Sequence, residues 1–137
     1  MQLGSDRAWV VHGADCIYEI STTGYTKVSE CRDGAVNTFY LHPADFGIPK
    51  ATMAALQGGD ATVNAAIVRR VLGGERGPAR DVVLLNAGAA LFVAGMVSSV
   101  RDGIDRAAAA IDSGDAQRTL GKLASVSATE ESAGSPV

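Results

Sequence analysis

The chain has 137 residues, of which 47% are hydrophobic and 5% aromatic, with 12 basic and 15 acidic side chains and a net charge of −3. That length fits one domain, whose core must be filled by Ala, Val, Leu and Ile. No basic patch or arm points to nucleic acid, and two cysteines, Cys16 and Cys31, supply neither a disulfide scaffold nor a zinc spacing.

The apolar run at residues 7–12 predicts a first strand, continuous in Trp and Val and so expected to be buried on both faces. It ends in His12-Gly13, at the kind of strand edge where α/β proteins place ligands. Residues 16–20 allow a short strand or turn, and Ser21-Thr22-Thr23-Gly24 reads as a turn. A hairpin follows: a strand over 26–31, the turn pair Asp33-Gly34, and a returning strand over 36–41. Residues 42–49, with two prolines and a glycine, form a structured loop, and 52–56 one helical turn.

From Asp60 the period becomes helical. Asp60 suits an N-cap; Val63, Ile67 and Val71 make one stripe; Arg69 and Arg70 complement the helix dipole; Gly73-Gly74 stops the helix. A second helix is expected from Arg80 or Asp81 through Val93, apolar all round and therefore central. Asn86 inside it must find a hydrogen-bond partner, and a core polar link is the plainer role for it than catalysis. Ser98 or Ser99 caps a third helix with Val100, Ile104, Ala107 or Ala108, and Ile111 inward. Asp115 caps a fourth, with Leu120, Leu123 and Ala124 inward, and residues 128–137 read as a disordered tail. Residues 1–127 thus form a single domain, strands at about 7–41 and helices at about 51–126, locally α+β. Residues 1–7 hold no apolar signal core, and the apolar run at 82–95 is too short to span a bilayer, so a cytoplasmic setting without membrane contact is expected.

The run His12-Gly13, five residues, then Glu19-Ile20-Ser21 resembles the HGxxGxDE signature of anthranilate phosphoribosyltransferases. The resemblance continues through Arg32-Asp33-Gly34, Asp45-Phe46-Gly47, Gly58-Gly59-Asp60, Asn64-Ala65, Gly77-Pro78-Ala79-Arg80-Asp81, Leu84-Leu85-Asn86-Ala87 and Asp112-Ser113-Gly114, covering about residues 3–125. It implies the C-terminal part of an α/β domain of the class II nucleoside phosphorylase and phosphoribosyltransferase type, whose sheet is completed by strands from an N-terminal part. It also implies transfer of phosphoribosyl from phosphoribosyl pyrophosphate to anthranilate in tryptophan biosynthesis, with Mg2+. Partners would be those substrates, a complementary N-terminal half, and a second copy in a homodimer. The family's Gly-Thr-Gly-Gly-Asp loop, its Lys-His-Gly-Asn-Arg segment and its anthranilate-contacting arginine all belong upstream of the matching region.

Two positions depart from the pattern: Cys16 replaces a glycine, and Tyr18 replaces the aspartate of the Asp-Glu pair. Glu19 is the candidate metal ligand, because magnesium takes hard oxygen donors; from the residue alone it is a solvated acid at a strand end. A phenol at Tyr18 is a poor magnesium ligand, so one contact weakens unless Asp15 reaches in. His12 and Gly13 are candidate substrate-binding residues, Gly13 by permitting close backbone approach and His12 by donating a hydrogen bond or simply capping the strand. No nucleophile stands at a diagnostic spacing, and no residue is assigned a catalytic role. Ser21, Thr22 and Thr23 read as turn formers that could also meet phosphate, while Gly58-Gly59-Asp60 and Gly73-Gly74 read as helix caps. Tyr18 and the upstream phosphate loop keep a second reading open, a non-catalytic truncated relative acting as a binding or structural module.

Overall fold

The computed structural model describes residues 6–134. The first five residues of the expected domain and the last three of the expected tail lie outside that range. Three strands, β1 (Arg7–Gly13), β2 (Thr26–Arg32) and β3 (Ala35–Leu41), precede four helices, α1 (Ala61–Leu72), α2 (Pro78–Val93), α3 (Val100–Asp112) and α4 (Asp115–Gly134). Two short 3-10 helices, Pro43–Phe46 and Ala54–Leu56, join the two groups.

The sheet is antiparallel in the order β1-β2-β3. Asp33 and Gly34 both take positive φ, 51° and 78°, the tight turn whose twist matches that of the strands it joins. This sets the register Val11↔Val28↔Phe39. Period-two alternation then places Trp9, Val11, Val28, Phe39 and Leu41 on one face. Trp9 meets Phe39 and Phe92 edge-on, with centroids 5.4 and 5.6 Å apart, and its indole N–H donates to Glu30 Oε2 at 2.7 Å.

The outer face is different. The continuous apolar run of β1 predicts burial on both sides, but Val10 is 67% exposed, and Val36 and Tyr40 on the same face are exposed too. The helices of this chain cover one side of the sheet only, so hydrophobicity alone does not bury the other.

The helices form where capping and periodicity place them. Asp60 accepts from Val63 N, and Ser99 Oγ from Asp102 N at 3.1 Å, each satisfying an orphan N–H of the first turn. In α1, Val71 is buried and Ile67 packs beside it, while Val63 stays half-exposed. The second helix begins at Pro78 rather than Arg80 or Asp81, because proline at the first helical position lacks only an N–H that would be unpaired there anyway.

α2 and α3 cross closely through Gly88 and Gly103. A Cβ on Gly88 would lie 2.6 Å from Ile104 N, so only glycine lets the two backbones approach this far. Leu85, fully buried, packs with Ile20, Ile48, Ala89 and Val100 in one core, and Val71, Leu84, Ala107 and Ile111 form another around the same helix pair.

α4 departs most from the sequence reading. Asp115 is its first helical residue rather than its cap and pairs with Arg118 one turn on. Leu120 is half-buried, but Leu123 is 66% exposed and Ala124 is exposed as well, so the expected inward stripe stops after the first turns. The helix runs to Gly134, through 128–134 where a disordered tail is expected; Ser, Ala and Glu tolerate helix, and the stretch holds no proline or glycine before Gly134.

Candidate functional site

The loop after β1 is built by local hydrogen bonds. Gly13 N donates to Ile17 O at 2.9 Å, Cys16 N to Gly13 O at 3.0 Å, and Ala14 N to Tyr25 O at 2.9 Å. Gly13 is buried, and a Cβ there would lie 2.6 Å from Asp15 Oδ1. The turn therefore closes tightly over a position without a side chain. Cys16, standing where the resemblance expects glycine, takes φ 65°, a conformation that costs an L-residue about 1–2 kcal/mol.

Asp15 points into this loop. Its carboxylate accepts from Ile17 N at 3.2 Å, Ser21 Oγ at 2.7 Å and the Thr23 hydroxyl. Burial works against the charged form, yet the Thr23 and Ser21 hydroxyls and the Ile17 amide prevail and hold its carboxyl below the ordinary value. Ser21 N donates to Thr26 Oγ1 at 2.8 Å, and Thr23 N to Ser21 Oγ at 3.0 Å. Thr22 is fully buried, its carbonyl accepting from Ala51 N at 2.8 Å, and its hydroxyl has no partner among the described residues. The hydroxyls of Ser21 and Thr23 thus brace the loop. Asp15 is committed to them and does not turn outward beside Glu19.

His12 and Glu19 are both exposed. His12, the last side chain of β1 before Gly13, meets Tyr18 edge-on at a centroid distance of 6.0 Å, and Tyr18 is 84% exposed. Glu19 makes none of the ion pairs found among the described residues. It lines a cavity of about 640 Å³ between the loop, α1 and the start of α2, whose walls include Ile17, Ile67, Val71, Val82 and Val83, with Arg70 and Arg76 among its polar residues. Among the described residues no cluster of three or more His, Cys, Asp or Glu side chains could hold a metal. Glu19 is a free hard-oxygen donor able to serve as one ligand of a magnesium ion whose remaining ligands are phosphate and water, the usual mode for that ion.

Two further features support this region, one anticipated from the sequence without its partner and the other not anticipated. Asn86 on α2 accepts from Ile20 N and donates to Ile20 O, both at 2.9 Å, and donates again to Val82 O at 2.9 Å. The expectation of a polar core link held for this residue, but its partner lies 66 positions away and left no local signal. Arg80 is buried and makes a two-pronged pair with Asp112, at 2.8 and 3.0 Å. The hydrogen bond from Arg80 holds the Asp112 carboxyl below its ordinary value. Glycine pairs at 58–59 and 73–74 serve the ends of α1: Asn64 bonds Gly59 through both its amide atoms, and Gly73 caps the C-terminus.

A model of the a/b domain of a glycosyl transferase family matches residues 1–117. The chain belongs to this family. Within the family, it is 52% identical over 122 residues to the anthranilate phosphoribosyltransferase of Azorhizobium caulinodans, spanning 89% of this chain and 36% of that relative. Its fold is similar to the crystal structure of anthranilate phosphoribosyltransferase from Thermus thermophilus, with a TM-score of 0.76 and 36% identity over 85% of this chain and 34% of that one. It is also similar to the Saccharomyces cerevisiae anthranilate phosphoribosyltransferase in complex with PRPP and Mg, with a TM-score of 0.74 and 27% identity over 82% of this chain and 33% of that one. The chain therefore spans about a third of the length of these transferases. Among the described residues no helix is long and apolar enough to cross a membrane.

Proposed function

We propose that this chain supplies the C-terminal part of an anthranilate phosphoribosyltransferase of tryptophan biosynthesis, working in the cytoplasm together with an N-terminal part that brings the phosphate loop and the anthranilate contacts. The observation that carries the proposal is Glu19: an exposed carboxylate, outside every ion pair of the described residues, on the wall of a cavity of about 640 Å³ just past the end of β1. Glu19 would hold Mg2+ when the substrate phosphates are present. Bound there, magnesium neutralises the charge that gathers on the departing pyrophosphate.

This chain's own residues supply support and shape. Gly13 lets the backbone turn sharply at the end of β1, and the exposed imidazole of His12, which does not itself line the cavity, would donate a hydrogen bond to the phosphoribosyl group. Asp15, Ser21 and Thr23 keep the loop closed on itself. Tyr18, 84% exposed and outside the cavity lining, adds no charge, so the site relies on a single carboxylate of this chain and should need more magnesium than one with an Asp-Glu pair. A homodimer of the assembled enzyme belongs to the same proposal.

The test is reconstitution: the chain is mixed with the N-terminal part of the A. caulinodans relative and phosphoribosylanthranilate is followed by its fluorescence. A magnesium-dependent signal that E19Q removes is expected. A correctly assembled pair with no activity would count against the proposal.

One observation favours a second reading, a non-catalytic binding or structural module: Asp15, the other carboxylate of the loop, is bound inward to hydroxyls, and Tyr18 cannot replace it. Calorimetry of the assembled pair with phosphoribosyl pyrophosphate separates the two, since heat of binding that requires magnesium excludes the module.

A further inference from the structure

Ile20 sits between Glu19 and Ser21 and does two jobs at once. Its side chain is only 3% exposed and packs in the core with Leu85 and Ala89 of α2. Its backbone N–H and C=O are both taken by one side chain, Asn86, at 2.9 Å each. Asn86 Nδ2 also donates to Val82 O at 2.9 Å, the carbonyl one turn earlier in its own helix. That third bond fixes which way round the amide sits: the NH2 faces two carbonyls and the oxygen faces the Ile20 N–H. A reversed amide would set donor against donor at Ile20 and acceptor against acceptor at both carbonyls.

Asp15, Ser21, Thr23 and Thr26 tie the rest of the loop within itself, and Ala51 N donates to Thr22 O at 2.8 Å on its far side. The bonds from Asn86 reach across 66 positions to join the loop to the central helix. Held only by its own bonds and one bond at Thr22, the loop could pivot about that point; two backbone bonds from one side chain of α2 stop it at Ile20. Because Ile20 follows Glu19 directly, the peptide unit that Asn86 grips through Ile20 N is the one that carries the Glu19 carbonyl. We propose that Asn86 is a positioning residue, whose amide clamps the Ile20 backbone to α2 and thereby fixes where the Glu19 carboxylate stands on the cavity wall. This goes beyond the plain core link that the sequence suggests, and it rests on the Glu19 reading for its functional meaning.

The experiment uses the full 137-residue chain, the N86L and N86D variants, and E19Q as a control. Amide hydrogen exchange is read at Ile20 and at Leu85, and Mn2+ is titrated in the presence of inorganic pyrophosphate while line broadening is followed at the Glu19 and Ile20 amides. N86L keeps the branching and heavy-atom count of the side chain, with bulkier methyl groups, and removes both clamp bonds; Ile20 exchange should rise about tenfold or more relative to Leu85, the equivalent of one net buried hydrogen bond. N86D, read at a pH low enough to protonate the new carboxyl, keeps the acceptor for the Ile20 N–H and sets one O–H donor toward the carbonyls, so Ile20 should stay protected. General destabilisation cannot produce that split, and N86D alone still gives a reading if N86L fails to fold. Broadening by Mn2+ in the parent chain should disappear in E19Q and need several-fold more Mn2+ in N86L.

Equal exchange at Ile20 in N86L and the parent chain overturns the clamp, as does loss of Ile20 protection in N86D. An N86L chain with raised Ile20 exchange but an unchanged Mn2+ midpoint overturns the positioning of Glu19. Absence of Mn2+ broadening in the parent chain with pyrophosphate present overturns the Glu19 reading instead, and leaves the exchange result to decide the clamp.

Discussion

The α2–α3 crossing and the stretch of α4 over 121–129 are both helical and both carry leucine and valine, yet they treat those side chains in opposite ways. At the crossing, two glycines let the backbones close, Leu85 is wholly buried, and Arg80 and Asp112 tie the start of one helix to the end of the other. On α4, Leu123 and Val126 are 66% and 57% exposed. Hydrophobicity does not distinguish the two regions; a facing surface does. The crossing is self-sufficient within this chain, whereas α4 beyond Leu120 and the outer face of the sheet carry apolar side chains for which the described residues provide no cover.

That contrast can be broken at its strongest point first. Leu85→Ala should cost about 3 kcal/mol, because it opens a cavity in a packed core, whereas Leu123→Ala should change stability by less than about 0.5 kcal/mol. Urea unfolding of both variants checks this, and equal costs would erase the distinction. Gly88→Ala should cost about 2 kcal/mol, since its Cβ meets the backbone of Ile104 rather than a movable side chain. Paired with Gly103→Ala it should be non-additive, because the two positions touch.

A smaller effect sharpens the electrostatic side. Arg80 holds the Asp112 carboxyl below its ordinary value. Its folded value lies under its unfolded one, so the stabilisation is present above about pH 4 and lost as pH falls further. The parent chain should therefore lose stability more steeply than D112N as the solution is acidified from about pH 4 to about pH 2.5, read as urea midpoints. Parallel slopes would show the pair to be without consequence. Smallest is Cys16→Gly, which relieves a positive φ at the cost of a more flexible unfolded chain. A net gain of about 0.5 kcal/mol in thermal unfolding is expected.

Much of the fold is legible in local chemistry. Asp60 and Ser99 cap because a short polar side chain at that spacing reaches the free N–H groups of a first turn. Asp33-Gly34 turns because its residues tolerate positive φ. The apolar stretch of α2 is central because no face of it prefers water. The site was legible only in outline: the order of motifs from His12 to Gly114 marked the family, and Glu19 as a candidate metal ligand. Which acid faces outward was not legible. Asp15 and Glu19 are equally acidic in sequence, and only the closed loop shows one bound to Ser21 and Thr23 and the other left on the cavity wall.

Residue order alone therefore settles what depends on neighbours a few positions apart: helix caps, turn chemistry, strand and helix periods, and the ordered motifs of a transferase family. What depends on distant partners emerges only in the folded chain, namely Asn86 on Ile20, Arg80 on Asp112, the exposed outer face of β1, and the bare stretch of α4 over 121–129. The reason is physical. A local hydrogen bond or period is written in spacing along the chain. Burial and pairing are set by which surfaces meet, and they meet only once the chain has closed.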